Sequence, residues 1–288
     1  MMKSWFIACL LGGFTALSLV QGVQTRQVVH LGFDTFAKGE FENLSLDESG
    51  TFSPAPKAEL KGEVDGPIIW RAISNEAGGF FLGTGNNGIV MEVDASGEAT
   101  EVFNPEEILT RGLALGPDGA LYVGTSPQGR VYRLRRSASG GWSNAEIFFD
   151  PPENYIWDLR FDENGNLFVA TGQSARIYKL PNGFQAGKDK PVHYFSSSET
   201  HFSTLAFGPE GDLLVGSGPS GYVYRVTDRD EGFALYHADV PEIRSILPMP
   251  DGTIYFATCN SPTSRPPSSS DSSGGGGDGD DEETDRDR

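Results

Sequence analysis

The residues best suited to handling a ligand recur at one position along the chain. Trp70-Arg71, Arg111-Gly112, Trp157-Asp158, Ser203-Thr204 and Arg244-Ser245 each precede a glycine-containing turn by the same spacing, and Tyr155, His201 and Glu242 lie two residues before the first member of their pairs. Aromatic rings beside guanidinium groups suit an acidic or sugar-like ligand. A planar guanidinium grips a carboxylate through two hydrogen bonds, and a ring face holds a cation or a sugar ring. The chain as a whole carries 22 Lys and Arg against 40 Asp and Glu, a formal charge of -18. Arg71, Arg111 and Arg244 meeting in one place would therefore form a local positive ring in an acidic molecule. Trp70 and Trp157 share one repeat position, so packing is the competing role for both.

Other motifs carry less chemistry. Gly83-Thr84-Gly85-Asn86-Asn87-Gly88 and Gly216-Ser217-Gly218-Pro219-Ser220-Gly221 match a dinucleotide-binding glycine pattern. That chemistry needs a helix N-terminus after the glycines, and here apolar strand-like runs follow, so both read as hairpin turns. Asp162-Glu163-Asn164-Gly165-Asn166 resembles part of a calcium loop but lacks the distal glutamate, and it reads as turn chemistry. The four histidines, His30, His193, His201 and His237, show no metal-ligand spacing. Only His201 precedes an inner strand. No catalytic residue, metal site or cofactor is expected, and the acidic charge excludes nucleic acid.

The elements that position these residues are repeated. Ala72-Ile73-Ser74, Leu113-Ala114-Leu115, Leu159-Arg160-Phe161, Leu205-Ala206-Phe207 and Ile246-Leu247-Pro248 each lead into a turn. An apolar run then closes on a small hydroxyl residue: Thr84, Thr125, Thr171, Ser217 and Thr258, spaced by 41, 46, 46 and 41 residues. In the first four copies two more strand-like runs follow. Four short strands in some 40 to 46 residues make a small sheet with two faces, which cannot bury both alone. Radial stacking buries them, so the fold class expected is all-β, a β-propeller of four-stranded blades over residues 66–260. A sandwich or solenoid is the alternative. The first strand of each blade lines the channel, which brings the recurring pairs to one mouth.

The ends differ in kind. Residues 1–22 read as a signal peptide, with Lys3, an apolar run from Phe6 to Val20 and cleavage after Gly22, and the chain is expected to be secreted or periplasmic. An uncleaved anchor is the alternative, although the run is short for a span. Residues 23–65 read as N-terminal strands and a leader, including Val28-Val29-His30-Leu31 and the run from Phe41 to Leu46. The fifth repeat stops after two strands. Either the N-terminal strands complete its sheet and close a five-bladed ring, the favoured reading, or the chain is part of a larger propeller. Residues 261–288 read as an acidic tail of low complexity and are expected to be disordered. With Cys9 in the signal segment, Cys259 is left alone and reads as a small buried hydrophobe.

The segment from Leu205 to Gly216, Leu-Ala-Phe-Gly-Pro-Glu-Gly-Asp-Leu-Leu-Val-Gly, resembles exported bacterial propellers of the gluconolactonase-like, NHL and WD-repeat-like superfamilies. The resemblance covers residues 33–260, and the whole arrangement is most similar to an uncharacterised group of such proteins. It implies a propeller fold. In the gluconolactonase family it also implies a divalent metal held by Glu, Asn and Asp in the channel. Here the matching segments Leu109 to Gly112, Tyr155 to Asp158, Phe202 to Thr204 and Ile243 to Ser245 lack the Asn, and only Gly62-Glu63-Val64-Asp65-Gly66-Pro67 is loosely similar. The function expected is a non-enzymatic extracytoplasmic scaffold that binds a small acidic or sugar-like ligand or a protein, with no membrane contact beyond the export signal. The alternative is a metal-dependent lactonase-like hydrolase or lyase.

Overall fold

The computed structural model describes residues 33–56, 60, 62–64, 68–75, 77–138 and 140–260. The expected signal peptide, the run Val28–Leu31 and the acidic tail lie outside the described residues. The chain divides into two compact units between Leu60 and Lys61.

The first unit holds a single helical turn, α1 (Phe33–Phe36), and a hairpin of β1 (Leu44–Leu46) with β2 (Phe52–Pro54). Asp47 shapes the hairpin turn by accepting hydrogen bonds from the backbone of Ser49 and Thr51. Phe36 and Phe41 lie against Phe52, with ring centroids 5.0 and 5.8 Å apart.

The second unit is a series of antiparallel blades, the first two joined into one sheet through the pair Gly85–Leu109 and the third and fourth through Gly172–His201. The first contains β3 (Ile68–Ser74), β4 (Phe80–Gly85), β5 (Val90–Val93) and β6 (Ala99–Phe103). Next come β7 (Leu109–Leu115), β8 (Leu121–Ser126), β9 (Val131–Leu134) and β10 (Glu146–Phe149). The third contains β11 (Tyr155–Phe161), β12 (Leu167–Gly172), β13 (Arg176–Leu180) and β14 (Val192–Ser196). The fourth contains β15 (His201–Phe207), β16 (Leu213–Gly218), β17 (Tyr222–Asp228) and β18 (Glu231–His237), and the last only β19 (Glu242–Pro248) and β20 (Ile254–Cys259). Each innermost strand packs on the innermost strands before and after it, so β3, β7, β11, β15 and β19 follow one another around the interior.

The recurring hydroxyls close the second hairpin of each of the first four blades. Thr84, Thr125 and Thr171 donate to the carbonyls of Ile89, Arg130 and Arg176, five residues on. Ser217 instead accepts from the Tyr222 amide. A buried glutamate ahead of the innermost strand supports the same hairpins. Glu107 accepts from Thr125 and the Gln128 amide, Glu153 from Arg176, and Glu199 from Ser217 and the Ser220 amide. The core lies between blades. Phe168, Phe202 and Leu205 share one cluster, and Tyr122, Ile156 and Leu159 another. Close approach needs missing side chains, since a Cβ on Gly124 would lie 2.4 Å from Ile156 Cγ2.

Of the N-terminal runs favoured to close the last sheet, Val28–Leu31 lies outside the described residues, and the run from Phe41 to Leu46 contributes β1, which does not pair with that sheet. Among the described residues β1 and β2 pair only with each other, and β20 pairs only with β19. The last sheet keeps two strands. Its outward face is uncovered: Tyr255 is 61% exposed, while Phe81, Tyr122, Phe168 and Leu214 at the same repeat position are at most 4% exposed. Position within the row of blades therefore decides how much each copy of this residue stabilises. Phe168→Ala should cost about 3–5 kcal/mol in urea unfolding of the full chain, and Tyr255→Ala no more than about 0.5 kcal/mol. Equal losses would refute the packing order.

Candidate functional site

All five innermost strands break register at the same place. The shift falls between Ile69 and Arg71, Thr110 and Gly112, Ile156 and Asp158, Phe202 and Thr204, and Ile243 and Ser245. The residue left without a partner is in turn Trp70, Arg111, Trp157, Ser203 and Arg244. A β-bulge adds one residue to one strand and re-aims its side chain. Four of these five side chains project into one cavity.

That cavity encloses about 420 Å³ and is lined by Trp70, Arg111, Trp157, His201, Glu242 and Arg244. Leu109, Pro219 and Pro241 add apolar wall. These three were not singled out in the sequence; Leu109 was visible there as the repeat equivalent of Tyr155 and His201. The Arg111 guanidinium lies between two indoles, 4.9 Å from the Trp157 ring and 5.9 Å from that of Trp70. Arg244 stands 5.8 Å from the Trp70 ring and pairs with Glu242 at 2.9 Å. Arg111 reaches Glu242 only at 4.0 Å. Burial, reinforced by Arg244, pulls the Arg111 pKa down to about 10, against the opposing pull of Glu242 and Asp158.

Around Trp157 the aromatic groups are ordered. Tyr155 stacks on it at 5.0 Å with rings 2° from parallel. Its indole N–H donates to His201 Nδ1 at 3.0 Å. The contact requires glycine at position 172, where a Cβ would lie 2.0 Å from His201 Nδ1 and 2.5 Å from Trp157 Nε1. Burial lowers the His201 pKa, Glu242 opposes, and Arg111 adds to the lowering.

Other residues expected at the mouth stand off the cavity wall. Asp158 is fully buried and accepts from Arg71 at 2.7 Å and from the Leu159 and Leu205 amides at 2.9 Å each. Burial lowers the Arg71 pKa, partly offset by Asp158. Ser203 donates to the carbonyls of Gly216 and Ile243, joining the fourth blade to the last sheet. Tyr155 supports Trp157 from behind. Cys259, expected as a buried hydrophobe, is only partly buried, and its Sγ accepts from Arg244 Nε at 3.0 Å. The glycine motifs form the hairpins β4–β5 and β16–β17, and Asp162 accepts the Asn164 and Asn166 amides of its own turn. His193 lies 3.7 Å from Asp230, and His237 stacks on Tyr222, both away from the mouth.

No family model and no curated protein matches the chain. Solved structures do. A streptogramin B lyase matches at 16% identity with a TM-score of 0.53, over 66% of this chain and 62% of that one. A catalytically inactive virginiamycin B lyase from Staphylococcus aureus, with a histidine replaced by alanine and quinupristin present, matches at 13% identity and 0.56, over 75% and 70%. The Dos1 propeller matches at 15% and 0.50, over 75% and 55%. The fold is a β-propeller. At these identities the likeness concerns the fold alone, and the chain spans about 62% of the length of the first propeller it matches.

The mouth of this propeller does not fit the divalent metal that the resemblance to the gluconolactonase family implies. Asp158 is engaged by Arg71 and two amides, Glu242 by Arg244, and the centre presents guanidinium groups. Among the described residues no three His, Cys, Asp or Glu side chains converge. The Arg71–Asp158 pair is instead a brace across the interior. Asp158→Ala should cost about 3 kcal/mol, because it strands a largely buried guanidinium, and Arg71→Met with Asp158→Leu should recover most of that loss in urea unfolding. A single variant as stable as the wild type would show the pair to be idle.

Proposed function

We propose that this protein is an extracytoplasmic propeller whose channel mouth binds a small acidic ligand bearing a ring, such as a sugar acid, without converting it. One observation carries the reading: Arg111 is 8% exposed, flanked by two indoles, and 4.0 Å from its nearest carboxylate oxygen among the described residues. A buried cation without a close counter-ion is costly, and an incoming anion relieves that cost. The indoles supply flat apolar surface for a ring, and the cavity volume suits a small molecule. Lys3 and the apolar run from Phe6 to Val20 support export, in keeping with the reading.

A second reading, a lyase or hydrolase at the same mouth, has one observation in its favour. His201 stands on the cavity wall, and a matched propeller is a lyase rendered inactive by loss of a histidine. Titration calorimetry of the full chain with D-glucuronate tests the first reading. Arg111→Met should weaken binding by about ten- to a hundredfold, the range of a charge-assisted hydrogen bond. Unchanged affinity would refute the Arg111 site. A new product in the proton NMR spectrum of the incubated acid would favour the second reading.

A further inference from the structure

The two tryptophans that flank Arg111 sit in the same repeat position, yet they differ in one contact. Trp70 Nε1 lies over Gly85, as Trp157 Nε1 lies over Gly172. Gly85 bridges to Leu109 of the next blade, and Gly172 bridges to His201. The indole N–H of Trp70 thus faces a leucine position and has no hydrogen-bond partner among the described residues. That of Trp157 has an imidazole nitrogen at 3.0 Å.

An indole nitrogen only donates. His201 Nδ1 must therefore accept, which places the imidazole proton on Nε2. Protonating Nδ1 would set two N–H groups against each other across a 3.0 Å contact. The charged groups that act on the imidazole oppose each other, Glu242 from β19 and Arg111 from β7, while Tyr155 and Trp157 of β11 meet its ring edge-on at 5.8 and 5.3 Å. Nε2 has no hydrogen-bond partner among the described residues and His201 lines the cavity, so its N–H is open to solvent or a ligand there.

We propose that Trp157 fixes His201 as a neutral Nε2–H donor, and that Arg111 and His201 together read an acidic ligand at two points: the anion at Arg111 and an acceptor oxygen of the same ligand at His201. This deepens the binding reading above and rests on it. It also assigns Trp157 a positioning role. In this state Nδ1 is occupied and Nε2 carries the proton, so His201 has no free lone pair with which to remove a proton from a ligand.

The tautomer can be measured without any ligand. Two-bond ¹H–¹⁵N correlation spectra of the full chain at pH 7 should show His201 Nε2 protonated and Nδ1 bare, and Trp157→Phe should shift the ring towards a mixture of tautomers. A protonated Nδ1 in the wild type, or no change in the variant, overturns the proposal. For the two-point role the probe is D-glucuronate, with inorganic phosphate as a compact anion. His201→Ala should weaken glucuronate binding about three- to tenfold, and His201→Gln, which keeps a donor, should restore most of it. Equal affinity in both variants and the wild type overturns that role. Absence of binding of either probe to wild type, with the tautomer as expected, would sink the acidic-ligand reading and the two-point role with it, while leaving the positioning by Trp157 standing.

Discussion

The site depends on a backbone irregularity repeated five times. An unbroken innermost strand would alternate its side chains between the two faces of its sheet, and both faces are taken by neighbouring blades. A side chain on such a strand would be spent on packing. The extra residue in each of β3, β7, β11, β15 and β19 escapes that alternation. Trp70, Arg111, Trp157 and Arg244 become available to the channel without opening a hole between sheets. The bulge also tightens the local twist, in keeping with strands that turn around an axis.

Charge at the mouth is arranged in two layers. Beneath the cavity, Arg71 and Asp158 neutralise each other, and the two backbone amides on Asp158 help to hold its charge in the interior. At the cavity wall, Arg244 takes the nearer contact with Glu242 and leaves Arg111 the farther one. Two indoles cover part of that deficit, since a ring face attracts a cation without neutralising it. A carboxylate close to Arg111 would have made the mouth self-satisfied. The protein's large negative charge makes this cationic point more selective, because an anion that reaches it has few other places to settle.

Much of this was legible in the sequence. The spacing of Thr84, Thr125, Thr171, Ser217 and Thr258 marked the blades, because the first four of these hydroxyls close hairpins locally. The six cavity residues Trp70, Arg111, Trp157, His201, Glu242 and Arg244 were legible as well, since alignment on the turn glycines places them at one end of the innermost strands. What escaped was decided by non-local pairing. A bulge has no side-chain signature, so nothing in Phe202-Ser203-Thr204 says that Ser203 turns to the carbonyls of Gly216 and Ile243. Asp158 looked available because its partner Arg71 lies 87 residues away. Glu107, Glu153 and Glu199 share the repeat spacing and were visible in principle, but a glutamate before a strand reads as solvated until its hairpin partners are known. Closure of the last sheet depended on which strand reaches β20, and no local pattern determines that.

Constancy and variation fall on different positions for a physical reason. The hydroxyl that closes the second hairpin must accept or donate in a fixed place, so only Thr and Ser serve. The bulged residue answers neither to the ladder of backbone hydrogen bonds nor to the core between sheets, and its five copies are Trp, Arg, Trp, Ser and Arg. The first residue of each innermost strand is similarly free: Ile68, Leu109, Tyr155, His201 and Glu242. Ser203 is the exception that tests the idea, because its side chain is drawn back into structure and contributes no wall. A propeller built this way can alter what its mouth recognises by changing positions in these two rings, Ser203 excepted, with little cost to the core between the blades. His201 against Gly172 is one such change, possible only where the neighbouring strand already ends in glycine.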